Sequence, residues 1–301
     1  MKTDLYEEIT GRIIAQLESG VVPWHPRCLA SGGLPRNYST KKEYRGINVF
    51  LLGSLGFSSP DFMTFIQAKE LGGHVRKGEK GFLVVKYGIY SRTEESAAGE
   101  GAAAEGEAET RRFLKGYTVF HASQIDGIDF PPSVVPPELP LTEKTARARE
   151  IVAGMPNPPE IREGGRIPCY IPGLDCVRMP ERGFFRDEEA YFSTLFHELS
   201  HSSGALNRLA RKSLLENKGF HHADGDEARK IYAEEELVAE MGSAFLCARA
   251  GICGDELPNS AAYLQGWIKA LKSKDAKGWI IRAASQAQKA ADYILNIPAP
   301  A

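Results

Sequence analysis

Hydrophobic positions first recur at helical spacing near the start of the chain, where Leu5, Ile9, Ile13 and Leu17 fall on one face and predict an amphipathic helix. A second periodic stretch, "INVFLLG" at the end of the 35–53 segment, predicts a helix after a polar loop. The segment 62–88 reads as a helix, a Gly-Gly turn and a basic turn that enters a strand. Two strand-like runs follow, 81–90 and 113–125, and pair as a hairpin whose connection is drawn out into an Ala/Gly/Glu insert at about 91–110. Downstream, "LTEKTARAREIVAGM" predicts a helix with Thr142 as N-cap, and "GRIPCYIPGLDCVRMP" a hairpin turning at Pro-Gly. "RDEEAYFSTLFHELSHSSG" predicts a helix from near Asp187 to Gly204. The next helix carries Leu237, Met241, Ala244, Phe245 and Ala248 on one face, and two more helices fill 260–296.

The strongest break in the pattern is "PPSVVPPELP", where five prolines in ten residues predict an extended linker. It divides the chain into residues 1–130, a linker at 131–140, and residues 141–301. Both units read as α+β, the first a mixed α/β domain. The 301 residues suffice for one large core or two ordinary ones. No run of 18 apolar residues exists, which excludes a helical membrane span. The N-terminus lacks the layout of a secretory signal, and the five cysteines are scattered. Reduced thiols and a cytoplasmic location are the expectation.

Charge changes this picture when it is mapped along the chain. The net formal charge is −2, yet residues 27–86 hold ten lysines and arginines against four acids. Residues 91–110 then hold six glutamates against one arginine. A polar Ala/Gly/Glu insert of this kind cannot bury a core and is expected to be a mobile loop. Cations interleaved with aromatic and amide side chains on loops and strands suit single-stranded nucleic acid, because Lys and Arg follow phosphates while rings stack on bases. The candidate contacts are Arg36, Lys41, Lys42, Tyr44, Arg45, Asn48, Arg76, Lys77 and Lys80. Neither a recognition helix nor a zinc finger, the devices duplex readers usually carry, is visible. Trp24, in "VPWHP", reads as a packed anchor.

The candidate chemistry lies in "FHELSH", an HExxH pattern on the predicted 187–204 helix. Side chains four apart point the same way, so His197 and His201 can grip one ion at about 2 Å each. Glu198 lies about 100° round the helix, away from the ion but within reach of a water beside it, which suits a general base. A third ligand must come from elsewhere. The candidates are Glu235, Glu236, Glu240, His221, His222, Asp224 and Asp226. Glu236 is favoured as ligand and Glu240, one turn on, as the carboxylate behind a metal-bound histidine or as an alternative ligand. That order resembles the one in thermolysin-like proteases. The two roles can be exchanged, or Glu235 can replace one of the pair, although for Glu235 a solvated helix charge is the favoured reading; His221 and His222 read as solvent-exposed. The small "SSG" after His201 predicts a helix that ends at an open cleft.

The same residues carry a family resemblance. "YFSTLFHELSHSSGALNRL", "YAEEELVAEMGSAFLCARAGI" and "YLQGWIKAL…AASQAQKAADYIL" resemble the metallopeptidase-like domain of polyvalent phage and plasmid proteins. "GVVPWHPRC", "PRNYSTKKEYRGIN", "FMTFIQAKELGGHVRKGEKG" and "YTVFHASQIDGI" resemble the N-terminal domain of ArdC-type antirestriction proteins, which is also fused to primases of conjugative plasmids. The resemblance implies a protein of mobile DNA with a single-stranded-DNA-binding domain and a zincin-like domain holding Zn2+ or another divalent transition metal. It implies protection of an incoming strand from host restriction. An intact HExxH leaves a second possibility open, a DNA-tethered metalloprotease acting on a nuclease or a DNA-crosslinked protein.

Overall fold

The computed structural model describes residues 4–25, 33–92, 109–131, 139–216, 226–253, 261–272 and 278–298. Most of the acidic insert, the centre of the Pro-rich stretch, Arg27, Cys28 and the loop bearing His221, His222 and Asp224 lie outside these residues.

The first helix, α1 (Leu5–Glu18), is capped by the Asp4 carboxylate, which accepts the Tyr6 N–H, and it buries Ile9, Ile13 and Leu17 as its spacing requires. Next come β1 (Arg36–Asn37), α2 (Ile47–Gly53), β2 (Asp61–Thr64), α3 (Phe65–Glu70) and β3 (His74–Val75). Thr64 and Gln67 form a capping box that starts α3 directly from the end of β2. β4 (Phe82–Arg92) and β5 (Glu109–His121) form the expected antiparallel hairpin, with Phe82 opposite Val119 and Lys86 opposite Lys115. The sheet order is β1-β2-β5-β4, and β6 (Ile125–Asp126) pairs separately with β3. β4 is therefore an edge. The Asn48 side chain closes it, accepting the Val85 N–H and donating to the Val85 carbonyl, both at 2.8 Å.

The second unit opens with α4 (Leu141–Gly154), whose N-cap is Pro140 and not Thr142. Pro140 already takes the extended backbone that precedes a helix, so the helix begins one residue before the expected cap. β7 (Glu160–Glu163), β8 (Cys169–Ile171) and β9 (Cys176–Met179) form a small sheet in the order β7-β9-β8. β8 and β9 are joined through Pro172–Leu174 and Asp175, which turns with φ 46°. Helices α5 (Glu188–Ser202), α6 (Lys212–Leu215), α7 (Asp226–Ala250), α8 (Ala261–Leu271) and α9 (Trp279–Ile294) complete the unit. No helix among the described residues is long and apolar enough to cross a membrane.

The two units share one hydrophobic cluster. Ile9, Ile13, Leu17, Trp24 and Phe50 of the first unit pack with Phe245, Trp267, Trp279 and Ile280 of the second. Trp24 is fully buried, 5.2 Å from the Trp267 ring, and Phe50 lies 4.8 Å from Phe245. Burying several large aromatics at one seam contributes on the order of several kcal/mol. The proline stretch thus joins two bodies that are already fused through their cores.

Candidate metal centre

Helix α5 begins where Asp187 accepts the Ala190 N–H at 2.8 Å, and it carries Tyr191, Phe192, Leu195, Phe196 and Leu199 into the core. That burial leaves His197 and His201 on the face turned toward α7. The two helices come very close. A Cβ at Gly242 would lie 2.6 Å from Ser200 Oγ, so only glycine permits this crossing. Ser243 Oγ adds a clamp by donating to the Ser193 carbonyl at 2.9 Å.

The close crossing brings one acid of α7 onto the histidine pair. His197 Nε2 and His201 Nε2 are 3.1 Å apart, and each lies 3.6 Å from a Glu236 carboxylate oxygen. Ligand atoms spaced tetrahedrally about 2 Å from an ion are about 3.3 Å from one another. The triangle of His197, His201 and Glu236 has that size, and it is a candidate metal-holding group among the described residues.

Glu235 is fully buried, which corrects its reading as a solvated charge. Its Oε1 accepts from His201 Nδ1 at 3.0 Å. Arg211 clamps it from behind, donating from Nε to Oε2 at 2.8 Å and from Nη2 to Oε1 at 2.6 Å, and Ser213 Oγ donates to Oε2 at 2.6 Å. With Nδ1 committed to Glu235, the lone pair of His201 is left on Nε2, which faces His197 and Glu236. Arg211 also donates to the Ser200 carbonyl at 2.8 Å and to Ser203 Oγ at 3.1 Å, satisfying the C-terminal end of α5. Ser202, Ser203 and Gly204 are buried beneath it, so the helix ends under a guanidinium and not at an open cleft.

Glu240 does not take the orienting position expected of it. It is buried, its side chain makes no hydrogen bond among the described residues, and its Oε2 has no partner. The reason is rotational: Glu235 reaches the Nδ1 side of His201, where Arg211 also arrives, while Glu240 sits a turn further along in the field of His197. Burial pushes the Glu240 carboxyl up to about 7, against the pull of His197. Burial also opposes the charges of Glu235 and Glu236, but Arg211 with His201 holds the first at about 2, and the two imidazoles hold the second at about 2. For His197, burial is outweighed by the bond to Glu236 and by the Glu240 and Glu198 carboxylates, which lift it to about 10. His201 is raised by Glu236 and Glu235 against the same burial.

Glu198 is buried, and its Oε2 accepts the Tyr170 N–H at 2.7 Å. Tyr170 lies in β8, one of the two edge strands of the small sheet, so this bond ties that strand to the histidine helix. The Tyr170 hydroxyl in turn donates to Asp175, which Arg208 holds in a two-point ion pair at 2.8 and 2.9 Å. Arg211 and Ser213 are not among the sequence candidates, and Glu235 is weighed there as a ligand or a solvated charge, not as the partner of His201 Nδ1. The only local trace of this arrangement is an acid beside Glu236.

The nine candidate DNA contacts are not brought together as a set. Arg36 is bound to the buried Asp61 at 2.7 Å, and Arg76 to Glu79 at 2.7 Å and Asp126 at 3.2 Å. Arg45 pairs with Asp292 of α9. Tyr44 packs edge-on against Phe62, and Asn48 closes the β4 edge. Lys41, Lys42, Lys77 and Lys80 are exposed and have no ion pair among the described residues, although Lys41 lies 3.5 Å over the Tyr38 ring.

Two family models match the chain in this order. The N-terminal domain of the anti-restriction factor ArdC matches residues 3–120, and a zincin-like metallopeptidase domain matches residues 147–286. An uncharacterized protein, y4eC, of Sinorhizobium fredii (strain NBRC 101917 / NGR234) is 36% identical over 97% of the chain and 92% of its own length. DNA primase TraC of Escherichia coli is 33% identical over 98% of the chain, which spans only 27% of that protein. Among solved structures, the metal-free antirestriction protein ArdC of plasmid R388 is 38% identical, with a TM-score of 0.74 over 98% of this chain and 97% of that one. Its Mn(II)-bound form is 36% identical with a TM-score of 0.72, covering 98% of both chains. With two α+β units in the same order and identity above one third over almost the whole length, the chain belongs to the ArdC antirestriction family, and its second unit is a zincin-like metallopeptidase domain.

Proposed function

We propose that this protein binds single-stranded DNA through its N-terminal unit, holds one divalent ion at His197, His201 and Glu236, and protects incoming mobile DNA from host restriction in the cytoplasm. The observation that carries the reading is the convergence of those three side chains, with Glu235 fixing the tautomer of His201. Two imidazoles and one carboxylate suit Zn2+, and they also accept other divalent transition ions. An ArdC relative solved with Mn(II) supports a divalent ion as the occupant.

When bound there, such an ion supplies Lewis acidity toward a carbonyl and acidifies water. The chain's own groups have separate tasks. Glu235 and Arg211 hold the His201 ring in place. Glu198, steered by the Tyr170 N–H, takes a proton from water on a carboxylate oxygen and returns it to a leaving amine nitrogen. That buried carboxylate, next to His197 on α5 and held by the Tyr170 N–H, is the observation favouring a second reading, a DNA-tethered metallopeptidase that cleaves a protein such as a nuclease.

The two readings separate in one comparison. Glu198→Ala and His201→Ala are assayed for protection of unmodified plasmid DNA entering a restricting recipient. If Glu198→Ala protects as well as the wild type, proteolysis is dispensable. If both variants lose protection while keeping fold and DNA binding, hydrolysis is the function. If neither variant matters and the protein does not bind single-stranded DNA, the reading fails.

A further inference from the structure

We propose that the outer face of the β4–β5 hairpin is the track for the unpaired DNA strand, with Phe113 and Tyr117 stacking on bases and Lys86 and Lys115 meeting phosphates. This rests on the reading that the N-terminal unit binds single-stranded DNA, and it names the surface. Side chains alternate across a strand, and the pairing register sets Lys86 opposite Lys115, Gly88 opposite Phe113 and Val84 opposite Tyr117. All of these therefore share one face. At its inner end Val84 and Val119 pack on Leu52 and Phe62. Beyond them the face opens to solvent, leaving Phe113 42% and Tyr117 37% exposed.

Three features point to a polyanion with open ring faces. The first is charge. Lys86 and Lys115 are both exposed, sit directly across the hairpin from each other, and have no acidic partner among the described residues. Like charges in a cross-strand pair weaken a sheet, and a phosphate laid between them reverses the sign of that interaction. The second is ring presentation. Phe113 reaches across to Gly88, where an added Cβ would come within 2.3 Å of the ring tip, so the glycine leaves room for an aromatic that stays exposed on this face. The third is order. Phe113, Lys115 and Tyr117 alternate ring, cation, ring along one strand, with Lys115 Nζ 5.2 Å from the Tyr117 ring centre. Rings four residues apart on a strand are about 13 Å apart, which leaves room for the lysine pair to meet the backbone between two stacked bases. A duplex keeps its bases stacked on each other and offers such rings little. The arginines that sequence reasoning selected are bound to Asp61, Asp292, Glu79 and Asp126 instead.

The test uses the full chain with a labelled oligothymidine and a duplex of equal length over a salt series. Phe113→Leu/Tyr117→Leu is expected to weaken single-strand binding at least tenfold and leave the salt slope unchanged. Lys86→Gln/Lys115→Gln is expected to reduce that slope by about 1.4, the value for two phosphates. Because these variants could fold poorly, ultraviolet crosslinking of the wild type to a bromodeoxyuridine strand is run beside them, and adducts are expected on Phe113 or Tyr117. If the wild type binds while both variants bind within twofold of it, or if all adducts lie elsewhere, the track is misplaced although strand binding stands. If the wild type binds no single strand, or binds duplex equally well, the underlying reading fails and the track with it.

Discussion

Replacing Glu235 by alanine should damage the fold and the metal site by separable amounts. The carboxylate receives Arg211 through two hydrogen bonds of 2.6 and 2.8 Å, Ser213 through one of 2.6 Å, and His201 Nδ1 through one of 3.0 Å. Removing one partner of a buried ion pair costs about 3–5 kcal/mol, because the other charge is stranded. Arg211 retains the Ser200 carbonyl and Ser203 Oγ, which places the expected loss near the lower end, about 3 kcal/mol. Without the Nδ1 acceptor, the His201 ring is free to turn, and such losses weaken metal affinity about 10- to 100-fold. Urea unfolding of metal-stripped protein reads the first effect, as a lower midpoint at unchanged slope. Competition against a chromogenic chelator reads the second. The pair Arg211→Met/Glu235→Leu separates them: with no charge stranded, stability recovers much of the loss while metal affinity does not. A Glu235→Ala protein within about 1 kcal/mol of wild type and within twofold in metal affinity would refute the reasoning.

The pH dependence has a defined sign. His197 is lifted to about 10, so its protonated form stabilises the metal-free fold fully below about 6.5, and that contribution is lost as pH rises toward 10. Glu240, pushed up to about 7, adds a loss as it ionises between about 4.5 and 7. Glu235 and Glu236, held at about 2, stabilise above their unfolded range and lose this only in acid. Metal-free protein should therefore melt at falling temperature from pH 6 to 9, and ion uptake should release protons. Calorimetry in buffers of different ionisation heat counts them, and a count of zero contradicts the protonation described. Arg45→Ala should cost about 1 kcal/mol, because it strips the cation from the nearly buried Asp292, and it should leave single-strand affinity within twofold. Thermal shift and strand binding on one preparation check both halves.

What could be read from the sequence follows the range of the interactions involved. His197 and His201 share a face because a helix repeats every turn, and that needs no tertiary knowledge. Glu236 was reachable because the apolar stripe of Leu237, Met241 and Phe245 fixes which side of α7 faces inward. Glu235 was misread because its partner, Arg211, arrives from a segment 24 residues away that no periodicity announces. Once that guanidinium is present, a buried carboxylate on the Nδ1 side costs little. Two of the candidate arginines likewise have partners that no local pattern announces: Arg45 finds Asp292 across 247 residues, and Arg36 finds Asp61 across 25. A local count of lysines, arginines and rings cannot tell a free charge from a paired one. The hairpin was visible in its alternation, but its exposed face depended on which half α2 and β2 cover, and that only the packed sheet settles.

Metal content by mass spectrometry, after equilibration with Zn2+ or Mn2+ and gel filtration, tests the centre most directly. The wild type and Glu240→Ala should each carry one equivalent of ion per chain, while Glu236→Ala and His201→Ala should carry far less at unchanged secondary structure. A wild type that retains neither ion, or a Glu236→Ala protein that retains a full equivalent at unaltered affinity, would contradict the assignment.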